Sequence, residues 1–256
     1  MLQTERSQKI ESLFAQHSVL SISELQAALN TSRATIYRDL KNLNDAGRIQ
    51  IVRGGATLSS YPNLIKIDEP YSEKVRLNAE EKKRIAHYAA SLIKPGMTIV
   101  LDSSTTVFEM CRDLLHIPNL QIITNDLRIA TEMRNGENIS VFVTGGFVRP
   151  NYYTLSNYMH DDFLQHLSAD ISFMACDAIT IDRGCMITNS DEIPIKKEML
   201  SISRKHILLS DHSKFGKTAF CCFAPVSEIN LIICGNETPD EHLQEITDSG
   251  INIVAV

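Results

Sequence analysis

The run Asp102-Ser103-Ser104-Thr105-Thr106 sets four consecutive hydroxyls behind an acid. It lies between an apolar stretch at 98–101 and a helical pattern at 107–115. Backbone N–H groups that open a helix lack an intrahelical acceptor and carry the positive end of its dipole. Hydroxyls beside them make a cradle for an anion such as phosphate; an ordinary Ser/Thr N-cap gives the same pattern. Other polar groups also end apolar runs: Thr124-Asn125 after 121–123, Gly145-Gly146 after 139–143, Asp177 after 171–175 and Ser213-Lys214 after 206–209. The two glycines permit close backbone approach. Lys214 and Arg149 supply cations, and Asp177 can accept from ligand hydroxyls. Each also has a plain alternative as a turn, a cap or a surface charge.

A second set of residues suits DNA. Ile36, Leu40 and Leu43 form one apolar stripe, so a period of 3.6 turns Ala34, Tyr37, Arg38 and Lys41 outward. Arg38 can fork onto guanine or phosphate, Ser32 and Thr35 can bond phosphate or bases, and Ala34 can touch a thymine methyl. Arg33 belongs to the same run. Arg53, at a hairpin tip, can reach an adjacent groove or the backbone. A helical docking domain with a solvated basic face is the alternative.

The elements that must position these groups are legible in outline. Ile10, Leu13 and Phe14 mark a first helix. Ser21-x-x-Glu24 is a capping box before Ile22, Leu25 and Leu29. Asn30-Thr31 breaks the chain, Ser32 caps a third helix, and that helix stops at Gly47. A short strand at 49–52 turns at Gly54-Gly55. Residues 58–75, with Ser59, Ser60, Pro62 and Pro70, lack a period and read as a linker. From Glu80 onward, helices (80–93, 107–115, 194–204) alternate with apolar strands (98–101, 121–123, 139–143, 171–175, 206–209, 231–234, 251–256). Such alternation predicts a mainly parallel sheet covered by helices.

Composition sets bounds. Apolar residues make up 43% of the 256, ordinary for a globular chain. No apolar run reaches membrane-spanning length, and the charged start MLQTERSQKIE lacks a signal-peptide core. A cytoplasmic protein without a membrane partner is expected. Six cysteines include no C-x-x-C pair, so reduced thiols and no zinc are expected; nothing calls for a metal or cofactor. Net charge is −6, but residues 1–56 carry +2 and the remainder −8. A mildly basic head on an acidic body fits a local nucleic-acid footprint.

The run Ser32-Arg33-Ala34-Thr35-Ile36-Tyr37-Arg38-Asp39-Leu40, then Leu43, Gly47 and Arg53-Gly54-Gly55-Ala56, resembles the DeoR family of bacterial regulators. The chain departs from that pattern at Tyr37 and Gln50, which bear on operator sequence. L-D-S-S-T-T, I-T-N, T-G-G, C-D-A-I, the Lys196 region and L-S-D-H-S-K-F-G resemble the family's effector domain. That domain is similar to ribose-5-phosphate isomerase. The resemblance implies a phosphorylated sugar or related metabolite as effector, with the hydroxyl loop on its phosphate and Lys196 at the site. It also implies repression of a carbohydrate-utilisation operon.

An isomerase needs a base that moves a proton between adjacent carbons. Its D-G-A-D-E motif becomes Asp177-Ala178-Ile179-Thr180 here, and its Glu-Lys pair becomes Lys196-Lys197, although Glu192 and Glu198 lie nearby. A sensor rather than an enzyme is therefore expected. The expected fold is α/β: an N-terminal winged helix-turn-helix (1–57), the linker (58–75) and a larger, mainly parallel α/β effector-binding domain (76–256). The expected partners are a double-stranded DNA operator, a small phosphorylated sugar-like effector and further copies of the chain. A single head would bury too little DNA surface for high specificity.

Overall fold

The computed structural model describes residues 3–14, 19–45, 49–52, 55–58, 65, 68–156 and 163–256. The chain divides into two compact units, Met1–Lys66 and Ile67–Val256.

The smaller unit runs α1 (Gln3–Phe14), β1 (Val19–Ser21), α2 (Ile22–Leu29), α3 (Arg33–Asp45), β2 (Ile49–Val52) and β3 (Gly55–Leu58). Helix α2 begins at the capping box. The Glu24 amide donates to Ser21 Oγ at 3.2 Å, and the Ser21 amide donates to Glu24 Oε2 at 2.7 Å. It ends at Asn30, whose left-handed φ of 47° is one that Asn tolerates. Helix α3 opens where the Thr35 amide donates to Ser32 Oγ at 3.3 Å. Ile10, Leu25, Ile36 and Leu40 are fully buried together, each contributing about 1.5–3 kcal/mol by leaving water. Strand β3 pairs antiparallel with both β2 and β1. Strand β1 was not expected, because three residues are too few to display a period. Asp39, an apparent surface acid, is fully buried and accepts from Arg6 Nε at 2.6 Å and Nη2 at 3.1 Å. The expected helix stop at Gly47 and the hairpin-tip residues Arg53 and Gly54 lie outside the described residues.

The larger unit begins with α4 (Tyr71–Arg76) and α5 (Ala79–Ser91), followed by β4 (Thr98–Leu101), α6 (Thr105–Glu109), α7 (Cys111–Leu114), β5 (Gln121–Thr124), α8 (Leu127–Met133) and β6 (Ser140–Val143). It continues with β7 (Phe147–Val148), β8 (Leu155–Ser156), β9 (Ile171–Met174), β10 (Ala178–Thr180), β11 (Gly184–Ile187), α9 (Ile193–Ser201) and β12 (His206–Ser210). Last come β13 (Cys221–Ala224), β14 (Leu231–Cys234), α10 (Asp240–Asp248) and β15 (Asn252–Ala255). Seven strands form one parallel sheet in the order β15-β14-β12-β9-β4-β5-β6. The strands are near-continuous apolar runs because both faces are covered. Ile99, Leu101 and Phe173 pack with Ile85, Val107 and Met133 of the helices on one face. Val100, Met174 and Leu208 point the other way, into α9, α10 and the small antiparallel sheet β10-β11-β13.

Two expectations are corrected. The helix at 107–115 is two short helices, α6 and α7, that meet at Met110. The stretch 58–75 is not a structureless linker along its whole length. Tyr71 to Arg76 form α4, and the larger unit starts at Ile67. Pro70 stands at the N-cap of α4, where its missing N–H costs nothing. The ribbon β7-β8 and the sheet β10-β11-β13 were not anticipated.

Candidate functional site

In the smaller unit α3 has a buried stripe and an exposed face. Ile36, Leu40 and Leu43 are buried, whereas Ser32, Arg33, Ala34, Tyr37, Arg38 and Lys41 are exposed and Thr35 is half-buried. The Ser32 and Thr35 hydroxyls are 2.9 Å apart, and the Arg33 guanidinium lies 5.8 Å from the Tyr37 ring centroid. Arg38 has no ion-pair partner among the described residues, so its charge is available to a polyanion. Arg38→Ala is expected to keep the fold and weaken operator binding by about 1–3 kcal/mol, with less effect on random DNA if Arg38 reads a base. A gel-shift titration with unchanged affinity would remove Arg38 from the recognition face.

In the larger unit the strand order identifies the place for a ligand. From β4 the chain builds outward through β5 and β6, then returns to β9 on the other side and builds through β12, β14 and β15. The order reverses between β4 and β9. Loops leaving the two strands part there, and a crevice opens beyond their carboxyl ends. A cleft of about 870 Å³, including its solvent-open mouth, lies at this point. It is lined after β4 by Ser103, Ser104, Thr105 and Thr106, after β9 by Cys176 and Asp177, and after β12 by Asp211, Ser213 and Lys214.

The hydroxyl loop is held from below. The Ser103 amide donates to Asn125 Oδ1 at 2.8 Å and Ser103 Oγ donates to Asp126 Oδ2 at 2.8 Å. Ser104 Oγ accepts the Thr106 amide at 3.0 Å, an N-cap. Helix α6 has only five residues, so its dipole is a small contribution, contrary to the sequence expectation. The Thr105 and Thr106 hydroxyls have no protein partner among the described residues, and the Ser104 O–H is free to donate.

The cations of the cleft differ sharply in how they are compensated. Lys196 Nζ, fully buried, donates to Asp102 Oδ2 at 2.5 Å and to the Ala175 carbonyl at 3.1 Å. Burial disfavours that ammonium, but Asp102 and Glu192 outweigh it and hold its pKa above the ordinary value. Arg149 donates to Glu192 at 2.9 Å and pairs with Asp68 at 2.7 Å. Lys74 donates to Asp177 at 2.8 Å. Burial resists the charge on Asp177, yet Lys74 and the Thr188 donors hold its carboxyl well below the usual range. Arg128 pairs with Asp126 at 2.9 Å within an aromatic box, 4.2 Å from the Tyr71 centroid and 4.9 Å from that of Tyr153. Burial lowers its guanidinium to about 10. The Lys214 ammonium makes no ion pair or hydrogen bond among the described residues, though its charge helps to hold the Asp211 carboxyl low. Among the described residues the buried Lys82 ammonium donates to the Lys74 carbonyl, and burial lowers its pKa against the pull of Asp211.

Five expected contact residues do not line the cleft. Asp102 is fully buried and turned toward Lys196 and the Ala175 amide. Thr124 donates its hydroxyl to the Leu101 carbonyl, and Asn125 holds the Ser103 amide, so both support the loop from behind. Gly145 and Gly146 are exposed, with φ of 74° and 106°. They follow β6, the outer strand, with β5 between it and β4. Ser103, Ser104, Thr105, Thr106, Arg149, Asp177, Lys196 and Lys214 do line it. Glu81, Asp211 and His212 bring ligand atoms within 4.8 Å of one another, but internal bonds already engage them. Glu81 accepts the His212 amide at 2.7 Å, and Asp211 accepts from Asn78 and Ser213.

Residues 6–61 match the model of the DeoR-like helix-turn-helix domain, and residues 77–236 match that of the DeoR C terminal sensor domain. The chain belongs to the DeoR family. Among DeoR-family relatives, the transcriptional regulator GolR of Listeria innocua is 31% identical over 99% of this chain and 98% of its own. GlpR of Haloferax volcanii is 30% identical over 99% and 98%, and the repressor GlcR of Bacillus subtilis 29% over 99% and 96%. These relatives are named regulators, not enzymes. Ribose 5-phosphate isomerase from Plasmodium falciparum superposes on 53% of this chain and 52% of its own, with 19% identity and a TM-score of 0.39. No helix among the described residues is long and apolar enough to cross a membrane.

Several cleft residues of this DeoR-family chain were missed from sequence: Asp68, Tyr71, Lys74, Lys82, Arg128, Tyr152 and Glu192, the last weighed only as a stray catalytic acid. For Lys82 a signal existed. It falls on the same helical stripe as Ile85, Ala86 and Ala89, and a lysine on a buried stripe is conspicuous. Asp68, Tyr71 and Lys74 lay in the stretch read as linker, and only tertiary contacts bring them in.

Proposed function

We propose that the chain represses a carbohydrate-utilisation operon and is controlled by a phosphorylated sugar, or a related metabolite, bound in the cleft of the larger unit. The observation that carries this reading is Lys214, whose ammonium makes no ion pair or hydrogen bond among the described residues and lines the same cleft as hydroxyls that have donors to spare. A phosphate monoester supplies the missing charge and accepts from Ser104, Thr105 and Thr106. Lys82 is a second cation, whose ammonium makes no ion pair among the described residues and donates to a carbonyl. Asp177 and Glu192 supply acceptors for sugar hydroxyls. The naming of a relative as a repressor supports the sign of regulation, and the exposed face of α3 supports an operator as the target.

Control follows from linkage. Two copies of the chain present paired heads to two half-sites, and the effector acts by its differential affinity for two arrangements. Thermal unfolding with a panel of sugar phosphates, each beside its unphosphorylated sugar, tests the ligand class. One phosphate ester is expected to stabilise the chain, by about 2.7 kcal/mol at a hundredfold excess over Kd, while its parent sugar does not. Ribose 5-phosphate is expected to show no turnover. Saturable isomerisation that vanishes in Glu192→Gln would replace the sensor with an enzyme.

A further inference from the structure

The start of the larger unit, residues 68–76, is attached to the cleft almost wholly by polar anchors. Asp68 pairs with Arg149 at 2.7 Å and also with Lys74. Lys74 donates to Asp177 at 2.8 Å, and its carbonyl accepts from Lys82 at 2.5 Å. Tyr152 Oη donates to the Glu69 carbonyl at 2.7 Å, and the Tyr71 ring meets that of Tyr153 edge-on at 5.2 Å. The Arg128 guanidinium also lies 4.2 Å from the Tyr71 ring centroid. Helix α4 has six residues, none of them buried. A helix that short does not persist by itself in water, and without apolar burial its free energy of local opening is low.

The anchors are cleft residues. Arg149, Asp177 and Lys82 line the cleft that a ligand would enter, and in this structure the chain's own groups engage all three. Asp68 is a carboxylate seated on a cleft cation, in the manner of an anionic ligand group.

We propose that residues 68–76 form a strap that competes with the effector, so that occupancy of the cleft and release of the strap are one equilibrium. The proposal rests on the reading of the cleft as the effector site. A ligand whose polar groups take over Arg149, Asp177 or Lys82 leaves Asp68 and Lys74 without partners, and α4 then has nothing to hold it. The strap directly follows the head unit, which ends at Lys66. Its release therefore frees residues 68–76, which lie along the chain between the head and the sheet. That gives ligand binding a covalent route to the freedom of the heads.

The test uses the full chain, inorganic phosphate as the probe, and three variants. Asp68→Asn removes the internal anion. Tyr152→Phe removes the bond to the Glu69 carbonyl and a polar neighbour of Asp68 but no formal charge. Glu69→Gln removes a neighbouring charge but keeps every strap contact, because only the Glu69 carbonyl is bonded. Amide exchange is read at Glu73, Lys74 and Leu77, whose N–H groups bond within the segment. Without phosphate, exchange is expected to rise roughly tenfold in Asp68→Asn, less in Tyr152→Phe and not in Glu69→Gln. Asp68→Asn is also expected to bind phosphate roughly tenfold more tightly by calorimetry. Saturating phosphate is expected to speed exchange in the wild type. Phosphate binding with the strap amides unmoved, or equal affinity in wild type and Asp68→Asn, would leave the effector site standing and overturn the strap. Binding to Asp68→Asn alone would support it. Phosphate bound by neither protein would remove both readings.

Discussion

Asp102→Asn is expected to lower the unfolding free energy by about 3–5 kcal/mol, the usual effect of removing one partner from a buried ion pair. Asp102 is fully buried, and its Oδ2 accepts from Lys196 Nζ at 2.5 Å and from the Ala175 amide at 3.0 Å. Asn keeps the shape and one acceptor but removes the charge. Lys196, 2% exposed, then keeps the Ala175 carbonyl, the Phe223 ring, 5.0 Å from its Nζ, and the more distant charge of Glu192, but no direct anionic partner among the described residues. Lys196→Met is expected to be comparably damaging, because it strands the carboxylate instead. The double variant is expected to be clearly more stable than the sum of the two losses, since no buried charge is left alone. Urea denaturation of the four proteins reads this directly. Losses that simply add would mean that the pair is not the strut beneath the cleft floor that its geometry describes.

The double change Ser104→Ala with Lys214→Ala is expected to abolish the effector response and leave DNA binding intact. Loss of a charge-assisted bond to a phosphate should weaken the ligand by about 1.5–3 kcal/mol. Lys214 makes no ion pair among the described residues, but its charge helps to hold the Asp211 carboxyl below its ordinary value, so its removal should cost some stability while the chain still folds. Ser104→Ala removes an N-cap acceptor as well as a ligand donor, at a cost of about 0.5–2 kcal/mol in stability. If the effector is an inducer, the variant stays on its operator at concentrations that release the wild type. If it is a co-repressor, the variant fails to bind tightly at all. Calorimetry with a stabilising sugar phosphate separates placement from response. Wild-type affinity in the double variant would move the phosphate away from Lys214 and the hydroxyl loop.

Local sequence determined α1 to α3 and the seven strands of the large sheet, though not α4, the break at Met110 or the short strands β1, β7, β8, β10, β11 and β13. Ser21 and Glu24 cap α2 because a capping box needs only residues three apart. Ile36, Leu40 and Leu43 fix the inward side of α3, and so its outward side, by periodicity alone. Continuous apolar runs after residue 97 imply a sheet covered on both faces, and parallel strands place every polar loop of interest at a carboxyl end. The DeoR motifs were therefore readable without coordinates.

What sequence could not supply was the lateral order of the strands. Thr124-Asn125 and Gly145-Gly146 stand at strand ends just as Ser103 and Asp177 do, and nothing local distinguishes them. Placement of β9 beside β4 puts the reversal there, leaves β6 at the edge and turns Gly145-Gly146 away from the cleft. Pairing of charges was equally hidden. Asp102 and Lys196 are 94 residues apart, as Lys74 and Asp177 are 103, so their partnership depends on the packed sheet. Only that packing determines which cations, like Lys196 and Arg149, are paired by the protein's own carboxylates and which, like Lys214, make no ion pair among the described residues.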